Sequence, residues 1–393
     1  MEFLNCEVQE YAWGDTESIP GLLGEDPDGT PKAELWMGAH PRASSRTESG
    51  TPLNDLIAAD LDSTLGPTTA ARFGQLPFLF KVLAAAAPLS IQSHPTLEQA
   101  IEGFARENRE GIPIDAPDRV YRDPNHKPEL IAAVTPFVAK CGFRPLAESR
   151  QLFSLMAAQG GCDALRPIAQ ILEEPGDAST IYKNTLAYIL GSPASQEVKI
   201  ADATMLASMV LRGTPQAADH DDELGWTDAI IDAFPNDSGV SVALLLNHVV
   251  LEPGDAIFLE AGNLHAYLWG TGMELMANSD NVVRGGLTPK HRDVAELLNV
   301  VDCSPIEVPI QHPPPGTWTY NSPVPEFTLD RLVDPDDAAV PTGPEIIFVQ
   351  TGSLQLESSR ATVDAAAGSV VWIPADEGLY SIRGSGTSWR ARV

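Results

Sequence analysis

An apolar run followed by a short polar strand constrains the fold of this chain most strongly. Residues 76–83 are almost entirely apolar, and residues 89–95 follow with Gln92, His94 and Pro95. Side chains alternate between the two faces of a strand, so Gln92 and His94 are predicted to share one face. Pro95 cannot donate to a β-ladder, which predicts that the strand ends there or lies at a sheet edge. This pattern indicates either a metal site or a histidine bonded to its neighbours.

Charge and hydropathy exclude several classes of partner. The chain has 393 residues with 54 acidic and 25 basic side chains, a formal net charge of −29. Nucleic acid is therefore not an expected partner, because phosphate backbones require a basic face. No run approaches the roughly 18 to 20 apolar residues that span a bilayer. An acid at position 2 stands where a signal peptide has its basic region. We expect a cytoplasmic monomer with no membrane partner.

The four cysteines are scattered along the chain, and no two are spaced as in a zinc ribbon or a disulfide framework. They are Cys6, Cys141, Cys162 and Cys303. We expect them to be reduced.

The chain alternates between β-rich and helix-rich parts. Residues 1–90 combine apolar stretches with turn residues and are predicted to be mostly β, and residues 96–106 are predicted to form a short helix. Residues 146–238 are rich in Ala, Leu and Met at helical spacing, and strands are predicted again from residue 240 onward. The fold is thus predicted to be mainly β with an α-helical insert. The predicted domains are a catalytic β domain of residues 1–145 and 239–312, a helical insert of residues 146–238, and a C-terminal β domain of residues 313–393.

A weak internal repeat indicates two related β units. Residues 254–265 can be aligned with residues 368–379, and each copy opens with a glycine turn that leads into an apolar strand. The first copy ends in His265 and resembles the second motif of cupin barrels, with Glu260 where cupins usually have proline. The second copy ends in Leu379. The resemblance implies two cupin-like β-barrels of the jelly-roll type, of which the C-terminal one lacks metal ligands.

Four polar residues in apolar surroundings form a candidate metal site. They are Gln92 and His94, then Glu129 before an apolar tetrapeptide, and His265 after the predicted strand 256–259. Two imidazoles, a carboxylate and an amide oxygen are a plausible ligand set for Zn²⁺. Nitrogen and oxygen ligands also accept Fe²⁺, Mn²⁺ or Co²⁺. A single buried histidine is more often a core residue than a ligand, so the prediction depends on the joint pattern.

The longest motif, residues 272–290, contains further polar residues. Glu274 lies in a predicted strand, and residues 279–281 have the composition of a turn. Arg284 precedes two glycines, where a ligand can approach the backbone closely. The alternative is a solvated loop in which Asp280 and Arg284 form an ion pair.

Residues 92–95, 125–129 and 279–290 together resemble the type I mannose-6-phosphate isomerase (phosphomannose isomerase) family. Further matches occur in family order and cover nearly the whole chain, at residues 11–14, 34–41, 76–81 and 141–144. The resemblance implies a zinc enzyme that interconverts mannose 6-phosphate and fructose 6-phosphate, with one Zn²⁺ per chain. It also implies a role in mannose metabolism and in the supply of GDP-mannose precursors.

The resemblance also implies roles for individual residues. The zinc ligands of the family correspond to Gln92, His94, Glu129 and His265, and its active-site arginine corresponds to Arg284. Aldose–ketose isomerisation moves a proton between C1 and C2 through an enediol, which requires a base and a group that stabilises the oxyanion. Arg284 is expected to stabilise the enediolate or to orient the hydroxyl groups. The base is expected to be Glu274 or the pair His126 and Lys127.

The phosphate of the substrate requires a local cationic pocket in so acidic a protein. The candidates for phosphate or sugar contacts are Lys127, Asp280, Arg284 and Lys290, with Arg144 and Lys81 as weaker ones. Lys81 could instead reach solvent from the end of its strand.

Two other functions are compatible with parts of this pattern. One is a different metal-dependent cupin enzyme, such as an oxygenase that uses iron held by two histidines and a carboxylate. The other is a non-catalytic double barrel that binds sugar phosphates.

Overall fold

The structure is a computed structural model that describes all 393 residues, and it is mainly β. Its strands, numbered in chain order, are β1 (Glu2–Asn5), β2 (Glu7–Gln9), β3 (Glu34–Gly38), β4 (Arg46–Thr47), β5 (Phe78–Ala85), β6 (Ile91–Ser93), β7 (Glu129–Ala133), β8 (Phe137–Phe143), β9 (Leu246–Leu251), β10 (Ala256–Leu259), β11 (His265–Ala277), β12 (Val283–Gly286), β13 (Trp318–Thr319), β14 (Thr328–Val333), β15 (Asp336–Ala339), β16 (Glu345–Val349), β17 (Ser353–Ser358), β18 (Thr362–Ala366), β19 (Val370–Ile373), β20 (Tyr380–Ser385) and β21 (Thr387–Arg392).

Helices lie mostly between β8 and β9. The α-helices are α1 (Ser18–Leu23), α2 (Leu53–Ala59), α3 (Leu61–Leu65), α4 (Pro67–Phe73), α5 (Leu97–Glu110), α6 (Leu146–Ala157), α7 (Arg166–Leu172), α8 (Ala178–Gly191), α9 (Ala194–Leu211), α10 (Asp221–Ala233), α11 (Gly239–Ala243) and α12 (Val294–Val300). Two short 3₁₀-helices cover Asp163–Leu165 and Pro215–His220.

The largest sheet has ten strands and contains the polar segments found in the sequence. Its main path runs β10-β7-β11-β5-β3-β2, and β6, β8, β9 and β12 are attached beside β11. The long strand β11 pairs through its first residues with β6 and β8, and through residues 270–277 with β5. It therefore connects the two parts of this sheet.

The N-terminal strand belongs to the same sheet as the C-terminal strands. The seven-stranded sheet has the order β13-β14-β21-β16-β19-β1-β4, and a four-stranded sheet has the order β15-β20-β17-β18. Strand β1 pairs antiparallel with β19, with Glu2 opposite Trp372. The two ends of the chain are thus bonded together, while the division into three domains stays a prediction.

The helices pack against the sheet beside the polar strand β6. One apolar core contains Leu152, Phe153 and Ile189 from the helices, and the same core includes Ile91 and Leu264. Burying such side chains stabilises the fold by about 1.5–3 kcal/mol each. This packing fixes the backbone on both sides of the candidate metal site.

Three predictions about local structure differ from the structure. Residues 1–90 are not mostly β, because they also contain α1 to α4. For example, α4 begins with Pro67, whose fixed φ suits a first helical turn, and ends at Gly74 with φ 65°. The helix predicted at residues 96–106 extends to Glu110, and the segment from residue 240 begins with α11 rather than a strand.

The helix α5 begins where the sequence predicts it. The side chain of Thr96 accepts a hydrogen bond from the backbone of Gln99, and Gln99 bonds back to the backbone of Thr96. This reciprocal cap satisfies two backbone donors that the helix leaves free. It also fixes the chain two residues after His94.

The two copies of the repeat have similar local structure. Gly254 and Gly368 have φ values of 97° and 85°, which favour glycine, and they precede β10 and β19. The strand pairings do not close any sheet into a barrel.

None of the helices combines the length and the apolar composition needed to cross a membrane. The cytoplasmic location and the monomeric state stay predictions.

Candidate metal centre and active site

Three buried side chains converge at the ends of three strands. One ligand atom each of His94, Glu129 and His265 lies within 4.8 Å of the other two. Glu129 and His265 are the first residues of β7 and β11, and His94 directly follows β6. All three residues are at most 2% exposed. The sequence predicted that His94 lies in the strand, whereas the strand ends one residue earlier.

A tight turn brings these residues together. Glu129 pairs with Leu259, the last residue of β10, and residues 260–264 then lead directly to His265. Within this turn, the backbone N–H of Gly262 donates to the carbonyl oxygen of His94 at 2.8 Å. Gly262 has φ 80°, so the turn needs a residue without a Cβ. The three candidate ligands are therefore positioned by backbone pairing.

Hydrogen bonds fix the orientation of both imidazoles. His94 Nδ1 lies 2.8 Å from the carbonyl oxygen of Asn281, and His265 Nδ1 lies 3.2 Å from that of Asn263. A carbonyl can only accept, so each Nδ1 carries the proton and each Nε2 presents a lone pair. This second hydrogen bond is the usual support of a metal-binding histidine.

The atoms that face each other have no hydrogen-bond partner. They are Nε2 of His94, Nε2 of His265 and Oε2 of Glu129. Buried polar atoms nearly always have a hydrogen-bond partner. Three neighbouring atoms without one therefore indicate a common partner. A divalent cation supplies such a partner, and these donors are of the types that Zn²⁺ binds. The residues present therefore fit a zinc ion.

The electrostatics of the group favour ligand forms of the side chains. Burial alone would raise the pKa of Glu129, but the charge of Lys127 together with the interactions of His94 and His265 holds that pKa well below its ordinary value. Lys127 Nζ lies 2.8 Å from Glu129 Oε1. Burial, and next the charge of Lys127, lower the pKa of His94 to about 4. A neutral imidazole and an ionised carboxylate are the forms that bind metals.

Gln92 lies beside this group through its backbone. It is the pairing partner of His265 in β11 and of Arg284 in β12. Its side chain is partly buried and forms no hydrogen bond within the chain. The role of Gln92 as a fourth ligand stays a prediction.

A second buried polar group lies on the neighbouring strands β3, β5 and β11. Lys81 is opposite Glu274 in β11 and opposite Trp36 in β3. Its Nζ contacts both Glu274 and Glu34, and Lys81 is only 6% exposed. Lys81 is in the middle of β5 and does not reach solvent. The alternative that it extends to solvent from the end of its strand is therefore wrong. The sequence patterns did not single out Glu34 as part of a buried polar group, although an acid in an apolar strand is a visible sign of one.

The other predicted residues divide into those near the ligand group and those that contact other elements. Arg284 lies near it by its pairing with Gln92, and Lys127 by its bond to Glu129. His126 Nε2 instead lies 2.9 Å from Glu326 Oε1. Asp280 accepts a hydrogen bond from Arg42, so it does not form the ion pair with Arg284 that a solvated loop would give.

The side-chain donors of Arg144 are engaged by other parts of the chain. Its guanidinium donates to Glu223 and to the carbonyl oxygen of Leu246, and the residue is 3% exposed. Arg144 therefore connects β8 to the helical segment and is not placed to bind a substrate phosphate.

The chain was compared with families of known proteins. The profile of the family described as "Phosphomannose isomerase type I, catalytic domain" matches residues 1–146. The mannose-6-phosphate isomerase of Escherichia coli (strain K12) is 39% identical over an alignment of 399 residues, gaps included. The alignment covers 98% of each chain. The mannose-6-phosphate isomerase of Homo sapiens is 32% identical over an alignment of 409 residues, gaps included. The alignment covers 96% of this chain and 94% of the relative.

Solved structures give the same result. The apo form of mannose 6-phosphate isomerase from Salmonella typhimurium superposes with a TM-score of 0.88 at 36% identity, over 100% of this chain and 98% of that one. A zinc-bound holo form of mannose 6-phosphate isomerase gives a TM-score of 0.87 at 36% identity, with the same coverage. These comparisons confirm the resemblance inferred from the sequence motifs. The chain belongs to the type I mannose-6-phosphate isomerase (phosphomannose isomerase) family.

Proposed function

We propose that this chain catalyses the reversible isomerisation of mannose 6-phosphate and fructose 6-phosphate. The observation that carries the proposal is the buried group of His94, Glu129 and His265, whose unpartnered atoms face one another. Relatives named mannose-6-phosphate isomerase match it over nearly their whole length. In the cell this reaction would serve mannose metabolism and supply precursors of GDP-mannose.

We infer that one Zn²⁺ per chain is held by Gln92, His94, Glu129 and His265. The zinc-bound structure of a relative and the orphaned donor atoms support this inference. When bound, zinc polarises the carbonyl and hydroxyl oxygens of a sugar as a Lewis acid. The second hydrogen bond of each imidazole would keep its Nε2 directed at the ion.

The proton transfer is assigned to Glu274 or Lys127 rather than to His126. Glu274 is buried, and burial raises its pKa although the charge of Lys81 opposes this effect. A raised pKa brings a carboxyl group closer to the range in which it can both accept and return a proton near neutrality. His126 is less suited, because Glu326 already occupies its Nε2.

Arg284 would stabilise the enediolate that forms when the proton leaves carbon. Its guanidinium is partly buried and always charged, so it can donate to an oxyanion without losing a proton. Lys290 would contact the phosphate. Asp280, which is held by Arg42, would orient a sugar hydroxyl or the guanidinium of Arg42 itself.

We further propose that the fold contains two cupin-like units of the jelly-roll type, and that only the first binds metal. The glycine turns before β10 and β19 support the repeat, and the second copy has Leu379 where the first has His265. The C-terminal unit would then serve mainly to support the first, for example through the bond between His126 and Glu326.

A coupled assay of fructose 6-phosphate formed from mannose 6-phosphate tests the proposal. The zinc-loaded protein should produce fructose 6-phosphate, and Arg284→Ala should lower kcat by about 100-fold or more while zinc content is unchanged. A protein that binds sugar phosphate without turnover would instead be the non-catalytic module. Iron in place of zinc, together with oxygen consumption, would indicate a different cupin enzyme.

A further inference from the structure

Three cations near the candidate site lack an acidic partner. Arg122, Arg284 and Lys290 form no ion pair within the chain, although acids outnumber bases by 54 to 25. Acids in the same motifs are engaged elsewhere: Asp280 binds Arg42, Glu129 binds Lys127, and Asp123 accepts hydrogen bonds from Ser279 and from the backbone of Asp280. Unpaired cations in so acidic a protein indicate a place that an external anion neutralises.

The loop that carries Arg122 is fixed to the motif that carries Arg284. The backbone N–H of Arg122 donates to Asn281 Oδ1 at 2.7 Å, and Asn281 Nδ2 donates to the carbonyl oxygen of Asp123 at 2.8 Å. The backbone N–H of Asp280 donates to Asp123 Oδ2 at 2.7 Å. These bonds hold Arg122 next to a turn that ends three residues before Arg284.

The same turn supports the candidate metal site. The carbonyl oxygen of Asn281 accepts the hydrogen bond from His94 Nδ1. Asn281 is fully buried, so a single side chain and its own carbonyl connect the loop of Arg122 to a candidate zinc ligand. The backbone of Arg122 is therefore held by the same turn that supports the candidate metal site.

The three cations are close enough to affect one another. Burial lowers the pKa of Arg284, and the charge of Arg122 lowers it further. Burial also lowers the pKa of Lys290, followed by the charges of Arg284 and then Arg122. Like charges repel, so this arrangement is unfavourable until an anion enters.

We propose that Arg122 binds the phosphate of the sugar phosphate substrate together with Lys290, while the neighbouring charge of Arg284 adds to the field that attracts the dianion. This inference rests on the proposed function and adds a residue that the sequence motifs did not single out. A guanidinium can donate two parallel hydrogen bonds to a phosphate, and Arg122 uses none of its side-chain donors within the chain. Arg122 would set the preference for a phosphorylated over an unphosphorylated hexose.

The test uses the zinc-loaded enzyme and inorganic phosphate as the probe. Phosphate binding is measured by calorimetry or by ³¹P line broadening, and phosphate is also tested as an inhibitor competitive with mannose 6-phosphate. Arg122→Gln should weaken phosphate binding and raise KM about 10- to 100-fold, the range expected for one charge-assisted hydrogen bond. Arg122→Lys should recover part of the lost phosphate binding, because it keeps the charge but cannot donate two parallel hydrogen bonds.

Arg109→Gln is the matched control. Arg109 is exposed near the end of α5 and has no ion pair, so its removal changes the net charge by the same amount elsewhere on the protein. It should bind phosphate like the parent protein. If Arg109→Gln and Arg122→Gln weakened phosphate binding equally, the proposal would be overturned, because the net charge of the protein would then explain the effect.

Zinc content and melting temperature are measured for every variant, so a folding defect is detected separately. Unchanged phosphate binding in Arg122→Gln would also overturn the proposal. If phosphate binding depends on Arg122 but no fructose 6-phosphate forms, the phosphate site stands and the proposed isomerase function fails.

Discussion

Lys81 and Glu274 are direct pairing partners on neighbouring strands, and both side chains are buried. Lys81 Nζ lies 3.0 Å from Glu274 Oε2 and 3.4 Å from Glu34 Oε1. The ring of Trp36 lies 5.5 Å from the same nitrogen. One buried lysine is therefore shared by two carboxylates, and Glu274 retains an oxygen that can act on a substrate.

Replacing Glu274 should separate its structural role from its chemical role. Glu274→Gln keeps the shape and a hydrogen bond to Lys81 but cannot accept a proton from carbon. We expect kcat to fall about 10²- to 10⁴-fold, the usual contribution of a general base, with zinc content retained. The measurement is the coupled isomerase assay with zinc analysis.

Glu274→Ala provides the structural comparison. Removing one partner of a buried ion pair costs about 3–5 kcal/mol in free energy of unfolding, and Glu34 should offset part of this cost. Urea unfolding of both variants measures the difference. A kcat close to that of the parent protein in Glu274→Gln would remove Glu274 from the candidates for the base.

Lys127 is expected to act on turnover more than on substrate affinity. Its Nζ donates to Glu129 Oε1 at 2.8 Å, so it lies at the candidate ligand group. Lys127→Met should lower kcat at least about 10-fold, because a cation is lost next to the reacting oxygens. Steady-state kinetics separate the two effects: a rise in KM with unchanged kcat would show that Lys127 only binds phosphate.

Gly270 should not tolerate a side chain. It lies within β11 with φ 113°, and a Cβ there would be 2.4 Å from the carbonyl oxygen of Pro136. Gly270→Ala should lower the free energy of unfolding by about 2–5 kcal/mol, from backbone strain and overpacking together. Gly111→Ala is the control, because Gly111 has φ 76° but open space around its Cα.

Chemical denaturation measures both variants. Gly111→Ala should cost only the strain, about 1–2 kcal/mol. Equal losses would mean that the contact with Pro136 relaxes and that β11 is not rigid at this bend.

The buried carboxylate of Glu223 should contribute to a loss of stability on acidification. Glu223 is 4% exposed and contacts Lys140, Arg144 and His220. Burial would raise its pKa, but Lys140, Arg144 and His220 together outweigh burial and hold the pKa well below its usual value. The unfolded chain then binds the proton more readily, so the stabilisation is present above about pH 4.3 and is lost as pH falls.

Urea unfolding between pH 3 and 7 measures this loss. Glu223→Gln should flatten the pH dependence in the acidic range, whereas Glu102→Gln, at an exposed position of α5, should leave it unchanged. An identical pH profile in Glu223→Gln would contradict the assignment.

The ligand group could be predicted because each member disturbs a local pattern. His94 and Glu129 adjoin apolar strands, and His265 follows a glycine turn that an internal repeat makes visible. The family motifs then predicted that these distant segments meet. The structure adds the reason, since the turn at residues 260–264 bonds to His94 and positions His265.

Other features depend on tertiary contacts that no local pattern encodes. The pairing of β1 with β19 joins residues 370 positions apart. The helices α1 to α4 are short and lie among turn residues, so their periodicity is weak. Arg122 carries no signal of its own in the sequence, because its position is set by hydrogen bonds to Asn281, 159 residues later.

The zinc content of the protein, measured together with isomerase activity, tests the central claim most directly. The purified protein should contain about one zinc per chain, lose activity when a chelator removes it, and recover activity in proportion to the zinc restored. His265→Ala should fail to retain the metal. Full conversion of mannose 6-phosphate to fructose 6-phosphate by metal-free protein would contradict the account.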